Sequence, residues 1–245
     1  MIAVILASLF ATLTSVTPSD YLYKFVMVRA APGRLLELID AYHHAGSSSA
    51  AFGEVRPFIM RHSQGDQWDL LLIHPLGPSL AEYHAPERVS RRAAANASLQ
   101  EESETALESL IAWQEDVIVA GPPEEVVAAA FADFSYYHVE MLVALPGKLD
   151  ELTRERHLEN QYSALLGRPE NLIFTRRGGA AWQVITIGFY RDIQHFAERT
   201  DHTDEERDAI AQSVGFAARD RIGTYLRTLI SYHHDTLAGA VRPND

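Results

Sequence analysis

The sequence predicts an α+β protein: two tandem ferredoxin-like repeats whose antiparallel sheets pack as one α/β barrel, with the helices outside. The first observation is that the chain repeats itself at an offset of 114 residues. The second is that each copy has the pattern of a strand, a helix, two strands and further helices. The third is that helices cover only one face of such a sheet, so the other face needs a cover, and a second copy in the same chain supplies it.

The internal repeat can be seen directly in the residues. The segment Met27-Val-Arg-Ala-Ala-Pro-Gly recurs as Met141-Leu-Val-Ala-Leu-Pro-Gly, and the 51 columns from Tyr23 to Ile73 contain 16 identities. About 3 identities would be expected by chance from an ordinary composition. We therefore predict repeat 1 over residues 21–121, a linker over 122–134 that follows the breaker residue Gly121, and repeat 2 over 135–245.

Each repeat opens with a strand and a helix. A β-branched and aromatic run predicts the strand, and a Pro-Gly pair ends it. In repeat 1 the helix that follows has apolar residues at Leu35, Leu38, Ile39 and Tyr42, which is the spacing of one helix face. Two further strands joined by short turns are then predicted, at Pro57–His62 with Trp68–His74 and at Asn171–Arg176 with Trp182–Tyr190.

The end of each repeat is predicted to be helical. Capping-box spacing occurs at Ser98–Glu101 and at Thr203–Glu206. The last helix is predicted to end in Trp113–Asp116 in repeat 1 and in Tyr232–Asp235 in repeat 2. The fourth strand is least legible, and we place it at Val117–Ala120 and at Thr236–Val241.

The first 20 residues differ from the rest of the chain. Residues 2–13 form an apolar run that is too short to span a bilayer, which needs about 20 residues, but has the length of a signal-peptide core. Because the repeat leaves residues 1–20 unmatched, we predict a secretory signal peptide there. We therefore expect a periplasmic or secreted protein. Once the signal peptide is removed, no integral membrane segment is expected. The alternative is a buried strand or helix of the domain.

Composition excludes several classes of function. The 245 residues carry a formal net charge of -12, which disfavours nucleic acid as a partner. The chain has no cysteine, so disulfides, thiolate metal sites and thiol nucleophiles are excluded. An intramolecular barrel permits a monomer, while association into a homo-oligomer through its outer faces stays open.

The strand, Pro-Gly-Lys and helix opening, followed by a Gly-x-x-Trp strand, resembles the dimeric α/β-barrel superfamily, most closely its NIPSNAP-type branch fused in tandem. The resemblance covers nearly all of residues 21–240. It implies the barrel, but not one function, because the superfamily includes cofactor-free monooxygenases, small isomerases and lyases, haem enzymes and proteins with no known reaction.

Differences between the two repeats indicate candidate site residues. Alternation puts His138 and Glu140 on one face of the first strand of repeat 2, where repeat 1 has Lys24 and Val26. If that face lines the barrel, the pair would point into a pocket, with His138 as a general base oriented by Glu140. The alternative is a pair exposed to water at the rim.

Further candidates for ligand binding are all in repeat 2. Arg156 replaces an aromatic residue of repeat 1, and a buried arginine needs an acidic partner or an anionic ligand. The other candidates are His157, Arg176, Gln183 and His233. A solvated helix face, a strand end and a backbone-bonded histidine are the structural alternatives for these residues.

The sequence thus leaves three hypotheses. The first is an exported barrel that binds or transforms a small organic molecule by acid/base chemistry, with no cofactor and no metal. The second is a non-catalytic binding or scaffold protein whose barrel is filled by side chains. The third is a haem or divalent-metal protein that uses a histidine of repeat 2 with ligands from elsewhere. Whether the chain is an enzyme stays open.

Overall fold

A computed structural model describes residues 21–64, 66–98 and 107–242, and within them eight strands form a closed antiparallel barrel. The strands are β1 (Tyr21–Ala30), β2 (Phe58–Gln64), β3 (Leu70–Gly77), β4 (Ile111–Gly121), β5 (Tyr136–Ala144), β6 (Leu172–Gly179), β7 (Val184–Tyr190) and β8 (Ile230–Ala240). Their order is β1-β3-β2-β8-β5-β7-β6-β4, and β4 pairs with β1 to close the barrel. The predicted fold class is confirmed.

The barrel consists of two halves with the same strand order. Half one (residues 21–121) runs β4-β1-β3-β2, and half two (residues 135–242) runs β8-β5-β7-β6. The halves join where β2 pairs with β8 and where β4 pairs with β6. Each sheet therefore closes against the other, as the pattern of the repeats predicts.

Helices surround the strands in the same order in both halves. They are α1 (Leu35–Ala51), α2 (Leu80–Tyr83), α3 (Pro86–Ser98), α4 (Glu124–Asp133), α5 (Leu149–Leu165), α6 (Ile193–Ala197), α7 (Asp204–Val214) and α8 (Ile222–Arg227). The Pro-Gly pairs before α1 and α5 end in Gly33 and Gly147, whose φ angles of 77° and 76° favour glycine. None of the helices in the described ranges has the length and apolar character needed to cross a bilayer.

Alternation along each strand separates two apolar layers. In β1, Tyr23, Phe25 and Met27 point into the barrel, where side chains from both halves form one buried cluster. Val26 and Val28 point outward and pack with α1. In half two, the outward-facing residues of β5 form the matching layer beneath α5. The protein thus has an interior core and two separate helix–sheet layers.

The connection between the halves is itself structured. Residues 122–134, predicted as a linker, contain α4, which closes one end of the barrel. Val127 is fully buried, and the Phe131 ring stacks on Phe58 at 4.6 Å and lies 5.1 Å from the ring of Tyr137. This helix extends the interior core beyond the strands.

The prediction for the end of each half is wrong in one respect. Trp113–Asp116 and Tyr232–Asp235 were expected to end helices, but both lie in strands, β4 and β8. Leu229, in the turn before β8, and Ile230, at the start of β8, are buried beneath the helix layer, and their spacing from Ile222 in the short α8 resembles a helical period. Of the positions predicted for the fourth strands, Val117–Ala120 falls within β4, and Thr236–Val241 overlaps β8 as far as Ala240.

Two predictions concern residues outside the described ranges. The predicted signal peptide, residues 1–20, lies there, and so does most of the capping box at Ser98–Glu101. The capping box of half two is confirmed: the Thr203 hydroxyl accepts from the Glu206 amide, and the Glu206 carboxylate accepts from the Thr203 amide.

Candidate functional site

The interior of the barrel is packed with large side chains. The Phe174 ring lies 5.5 Å from Tyr23 and 4.9 Å from Phe25, and Tyr137 lies 5.3 Å from Phe189. All five side chains belong to the same buried cluster. The expectation of a ligand pocket inside the barrel is therefore wrong. Aromatic residues from the two halves fill this space, as the hypothesis of a filled barrel required.

His138 and Glu140 lie on the outward face of β5, so the condition for their pointing into the barrel is not met. Glu140 accepts a hydrogen bond from the Thr186 hydroxyl at 2.7 Å. It also lies 3.3 Å from Arg156 Nη1 on α5. His138 packs on Phe196, with 5.4 Å between ring centroids. The structure thus joins Glu140 to Arg156 in the helix–sheet layer and leaves His138 at its edge.

Arg156 is the centre of a buried ionic cluster. Its side chain is 2% exposed and forms ion pairs with three carboxylates: Glu140, Glu155 and Glu159. Arg156 Nε donates to Glu155 at 2.6 Å, and Arg156 Nη2 donates to the other Glu155 oxygen at 2.9 Å. The sequence prediction that a buried arginine here needs an acidic partner is met by residues of the protein itself.

The surplus of carboxylates affects their ionisation. Burial raises the pKa of Glu159 to about 7, and the neighbouring carboxylates Glu140 and Glu155 act in the same direction. Burial also raises the pKa of Glu155. For Arg156, burial acts to lower the pKa, but the surrounding carboxylates outweigh it and raise the pKa. Arg156 and the carboxylates around it therefore occupy the layer beneath α5, and Glu155 and Glu159 take up protons more readily there than they would in water.

The remaining predicted residues of half two do not meet in one place. His157 is exposed on α5. Arg176 Nη1 donates to the carbonyl of residue 180 at 3.1 Å, and the side-chain oxygen of Gln183 accepts from the amide of residue 144 at 2.8 Å. His233 lies in β8, with its Nε2 3.5 Å from Asp235. Their predicted ligand-binding roles stay predictions, and the contacts of Arg176 and Gln183 are to the backbone.

Half one has a cavity where half two has the ionic cluster. The cavity, about 400 Å³, lies between α1, α3 and the outer face of β3. At the positions that match Arg156, Glu159 and Asn160 of α5, helix α1 has Tyr42, Ala45 and Gly46, all of which line the cavity. Ser49, His74, Tyr83, Arg92 and Asn96 also line it. Small residues on α1 leave this space open, and its volume is in the range of small-molecule sites.

The polar groups of this cavity have shifted ionisation. Burial lowers the pKa of His74 to about 4, and the positive charge of Lys24 adds to the effect. Burial raises the pKa of Tyr42 to about 12, and Asp116 adds to that effect. At neutral pH the cavity therefore presents a neutral imidazole and a protonated phenol.

Arg92 brings positive charge to the same cavity. Its guanidinium lies 3.9 Å from the centre of the Tyr83 ring and 3.8 Å from Glu54. Arg88 holds Glu54 more closely, with Nη2 to Oε2 at 2.9 Å. Arg92 Nη1 is the atom that lies 3.8 Å from Glu54, in an ion pair, and it is buried and makes no hydrogen bond. A buried donor without an acceptor is costly, so this atom indicates where a ligand oxygen would bind.

A wider groove of about 640 Å³ lies between the start of α1 and the ends of β2 and β8. Leu36, Arg61 and Val241 are among the residues that line it. Nδ1 of His62 in this groove is also buried without a hydrogen-bond partner. The cavity in half one is the better candidate because side chains with shifted pKa values line it beside the Arg92 guanidinium.

Histidines decide where a metal or haem would fit. In the described ranges, no group of three His, Asp or Glu side chains is placed to hold a metal ion. The histidines of half two that the sequence offers as ligands lie apart. His138 is at the edge of the helix–sheet layer, His157 is on the exposed face of α5, and His233 is in β8. His74 is a neutral imidazole that lines a cavity, and a haem iron takes such a ligand. His74 is therefore the side chain of this cavity that could ligate a haem iron.

Sequence analysis missed the cavity residues His74 and Arg92. The available signal was the run of small residues from Ala45 to Ala51 in a helix whose counterpart in half two is strongly polar. Such a run leaves space against a sheet. The differences between the repeats that indicated site residues were polar groups of half two, whereas this cavity comes from small side chains in half one.

Comparison with known proteins gives the fold. No protein-family profile and no curated protein sequence matches the chain. Among solved structures, an anthrone oxidase-like protein matches with a TM-score of 0.55 and 10% identity, covering 92% of this chain and 93% of its own. A candidate monooxygenase of Fusobacterium nucleatum matches with a TM-score of 0.52 and 7% identity, covering 91% and 93%. A candidate chlorite dismutase has a TM-score of 0.49 and 12% identity, covering 91% and 96%.

At these identities the likeness concerns the fold. The chain shares its α/β-barrel architecture with structures of the dimeric α/β-barrel type, whereas the NIPSNAP-like branch stays a prediction.

Proposed function

We propose that this protein binds a small, largely apolar organic molecule with an acceptor oxygen, and that the site is the cavity of half one. The observation that carries the proposal is the buried Nη1 of Arg92, which has no hydrogen-bond partner beside a cavity of about 400 Å³. The Tyr42 and Tyr83 rings supply apolar walls. A ligand oxygen at Arg92 would satisfy the donor, and a ring would fill the space.

Acid/base chemistry at this site would differ from the chemistry first assigned to His138 and Glu140. His74 is neutral, so at pH 7 it acts as a hydrogen-bond donor or acceptor and not as a cation. A neutral imidazole can polarise a carbonyl or stabilise a developing oxyanion. The match to structures described as an anthrone oxidase-like protein and a candidate monooxygenase agrees with an organic ligand. The proposed function is therefore binding of an organic molecule, and catalytic turnover of that molecule would be a further property of the same site.

The test uses a pair of serines that the repeat itself matches. Ser49 lines the cavity, and Ser163 occupies the same position on α5. Calorimetric titration with 1-naphthol should show one site per chain in the native protein. Ser49→Phe, which fills the cavity, should weaken binding at least about tenfold. Ser163→Phe should leave it unchanged. Equal binding by both variants would contradict the proposal.

Haem binding is a second candidate, favoured by His74. This side chain could hold the iron, and Arg92 could pair with a propionate. Haem would supply redox chemistry when bound. Adding haemin to the purified protein should shift the Soret band in the native protein and in His157→Ala, whose histidine is exposed, but not in His74→Ala. An unshifted band in the native protein would remove this candidate and leave the organic-ligand site in place.

A further inference from the structure

Three side chains form a hydrogen-bonded relay at the end of the barrel opposite α4. His234 of β8 lies with Nδ1 2.8 Å from Oδ1 of Asp66, which follows β2. The other ring nitrogen, Nε2, is hydrogen-bonded with the hydroxyl of Tyr232. The relay crosses the seam between the halves, since Asp66 belongs to half one and the other two residues to half two.

The chemistry of Asp66 fixes the direction of the relay. Its side chain is 2% exposed, and an ionised carboxylate only accepts hydrogen bonds. His234 Nδ1 therefore donates to Asp66, and in the tautomer with its proton on Nδ1 the acceptor for the Tyr232 hydroxyl is Nε2. This is the arrangement of a hydroxyl nucleophile, a base and a carboxylate that orients the base.

The surroundings make Tyr232 accessible to a planar group. The side chain is 50% exposed and stacks on the buried Trp182 ring at 5.4 Å, with 22° between the planes. Trp182 is held in turn by Glu115, which accepts from its indole N–H at 3.4 Å. An aromatic ring can therefore lie beside the phenol while the indole stays fixed.

The matched positions at the other seam, where β4 pairs with β6, cannot form the same relay. Tyr232 and His234 correspond to Trp113 and Glu115, and Asp66 corresponds to Ala180. None of these three side chains pairs a hydroxyl with an imidazole base. The relay therefore occurs at the seam where β2 pairs with β8 and not at the other seam. It is independent of the ligand cavity in half one.

We propose that Tyr232 is a nucleophile toward aryl esters of small carboxylic acids. The Tyr232 proton moves to Nε2 of His234, and the phenolic oxygen forms a bond to the ester carbonyl carbon. The bond from that carbon to the aryl oxygen breaks, and the aryloxide leaves. His234 then releases its proton to solvent, so that an acyl group on Tyr232, an aryloxide and a proton are the products. His234 is the base, and Asp66 is a positioning residue.

The experiment is acetylation of the full protein by p-nitrophenyl acetate, followed by peptide mass spectrometry over time. The background is low because the chain has two lysines, Lys24 and Lys148, both in ion pairs. Acetyl should appear on Tyr232 at least about tenfold faster than on any other tyrosine. Release of p-nitrophenolate should show a burst of one equivalent, which Tyr232→Phe abolishes and the control Tyr225→Phe keeps.

Two further variants separate positioning from stability. His234→Gln and Asp66→Asn should each slow acetylation of Tyr232 at least about tenfold while the melting temperature stays close to that of the native protein. Nitrogen NMR should find the proton on Nδ1 of His234 in the native protein and a changed tautomer in Asp66→Asn. If His234→Gln fails to fold, Asp66→Asn and Tyr232→Phe decide. Acetylation of Tyr232 no faster than other tyrosines, or unchanged in Asp66→Asn, overturns the proposal.

Discussion

The helix–sheet layers of the two halves have the same backbone plan and opposite contents. Beneath α5, Arg156 and three carboxylates fill the layer with charge. Beneath α1, the matched arginine position is Tyr42, and a cavity of about 400 Å³ remains. The difference shows that two halves with the same strand order can keep their strands and turns while one half fills its helix–sheet layer and the other leaves a cavity there.

The sheet takes part in this difference as well as the helix. Glu140 and Thr186 of half two correspond to Val26 and Leu72 of half one. In half two the Glu140 carboxylate accepts a hydrogen bond from the Thr186 hydroxyl and forms an ion pair with Arg156. The matched side chains of half one are buried apolar residues. A charged helix face thus requires a polar sheet face, and the two changes belong together.

The largest expected effect comes from removing the guanidinium of half two. Arg156→Met would leave three carboxylates without their cation, which should cost about 3–5 kcal/mol of unfolding free energy. Urea denaturation measures the loss. The control is Arg154→Met on the exposed face of α5, which should change stability by less than about 0.5 kcal/mol. A small effect at Arg156 would mean that solvent reaches the cluster.

His74 should make half one sensitive to acid. Its folded pKa, about 4, lies below the unfolded value of about 6.5, so between these pH values the unfolded chain binds a proton that the folded chain does not. Stability should therefore fall as the pH drops from about 6.5 to 4, by about 3 kcal/mol from this group. Denaturation at each pH should show a flatter profile for His74→Gln. An unchanged profile would place His74 in water.

Glu159 should give half two the opposite dependence. Its folded pKa, about 7, lies above the unfolded value of about 4.3, so stability is highest below about pH 4.3 and is lost as the pH rises to 7. The side chain is 35% exposed, so a loss on the order of 1 kcal/mol is expected after solvent screening. Glu159→Gln should remove this loss. A variant that keeps the full pH dependence would assign it to Glu155 instead.

The smallest expected effect is at Glu140. The cluster holds more carboxylates than cations, so Glu140→Gln should change stability by less than about 1 kcal/mol in either direction. Thermal unfolding measures this change. If Glu140 is catalytic, as the sequence analysis predicted, the same variant would abolish turnover at nearly constant melting temperature. A loss of several kcal/mol would show that Arg156 depends mainly on this carboxylate.

Much of the fold could be predicted because the repeat shows it twice. Local sequence rules predict the Pro-Gly turns and the opening strands, and both repeats contain the same signals. The Thr203 capping box is predicted by local sequence in the same way. The ends of the halves could not be predicted in the same way. Leu229, in the turn before β8, and Ile230, the first residue of β8, pack against the helix layer, and from the sequence alone their burial has the spacing of a helix.

The site could be predicted only in part, because which face of a strand lines the barrel is a property of the closed sheet. The alternation that placed His138 and Glu140 on one face was correct, but that face points to the helices. The need of Arg156 for an acidic partner followed from the energetics of burial. The cavity at His74 is created by missing volume, which the small residues of α1 indicate only when they are set against the matched positions of α5.

The most direct test of the account is a crystal structure of the protein soaked with 1-naphthol. The account predicts electron density for the ring between α1 and β3, with the naphthol oxygen within hydrogen-bond distance of Arg92 Nη1. It predicts an unchanged ionic cluster around Arg156 in half two. Density for the ring inside the barrel or beneath α5, with the cavity of half one free of it, would contradict the account.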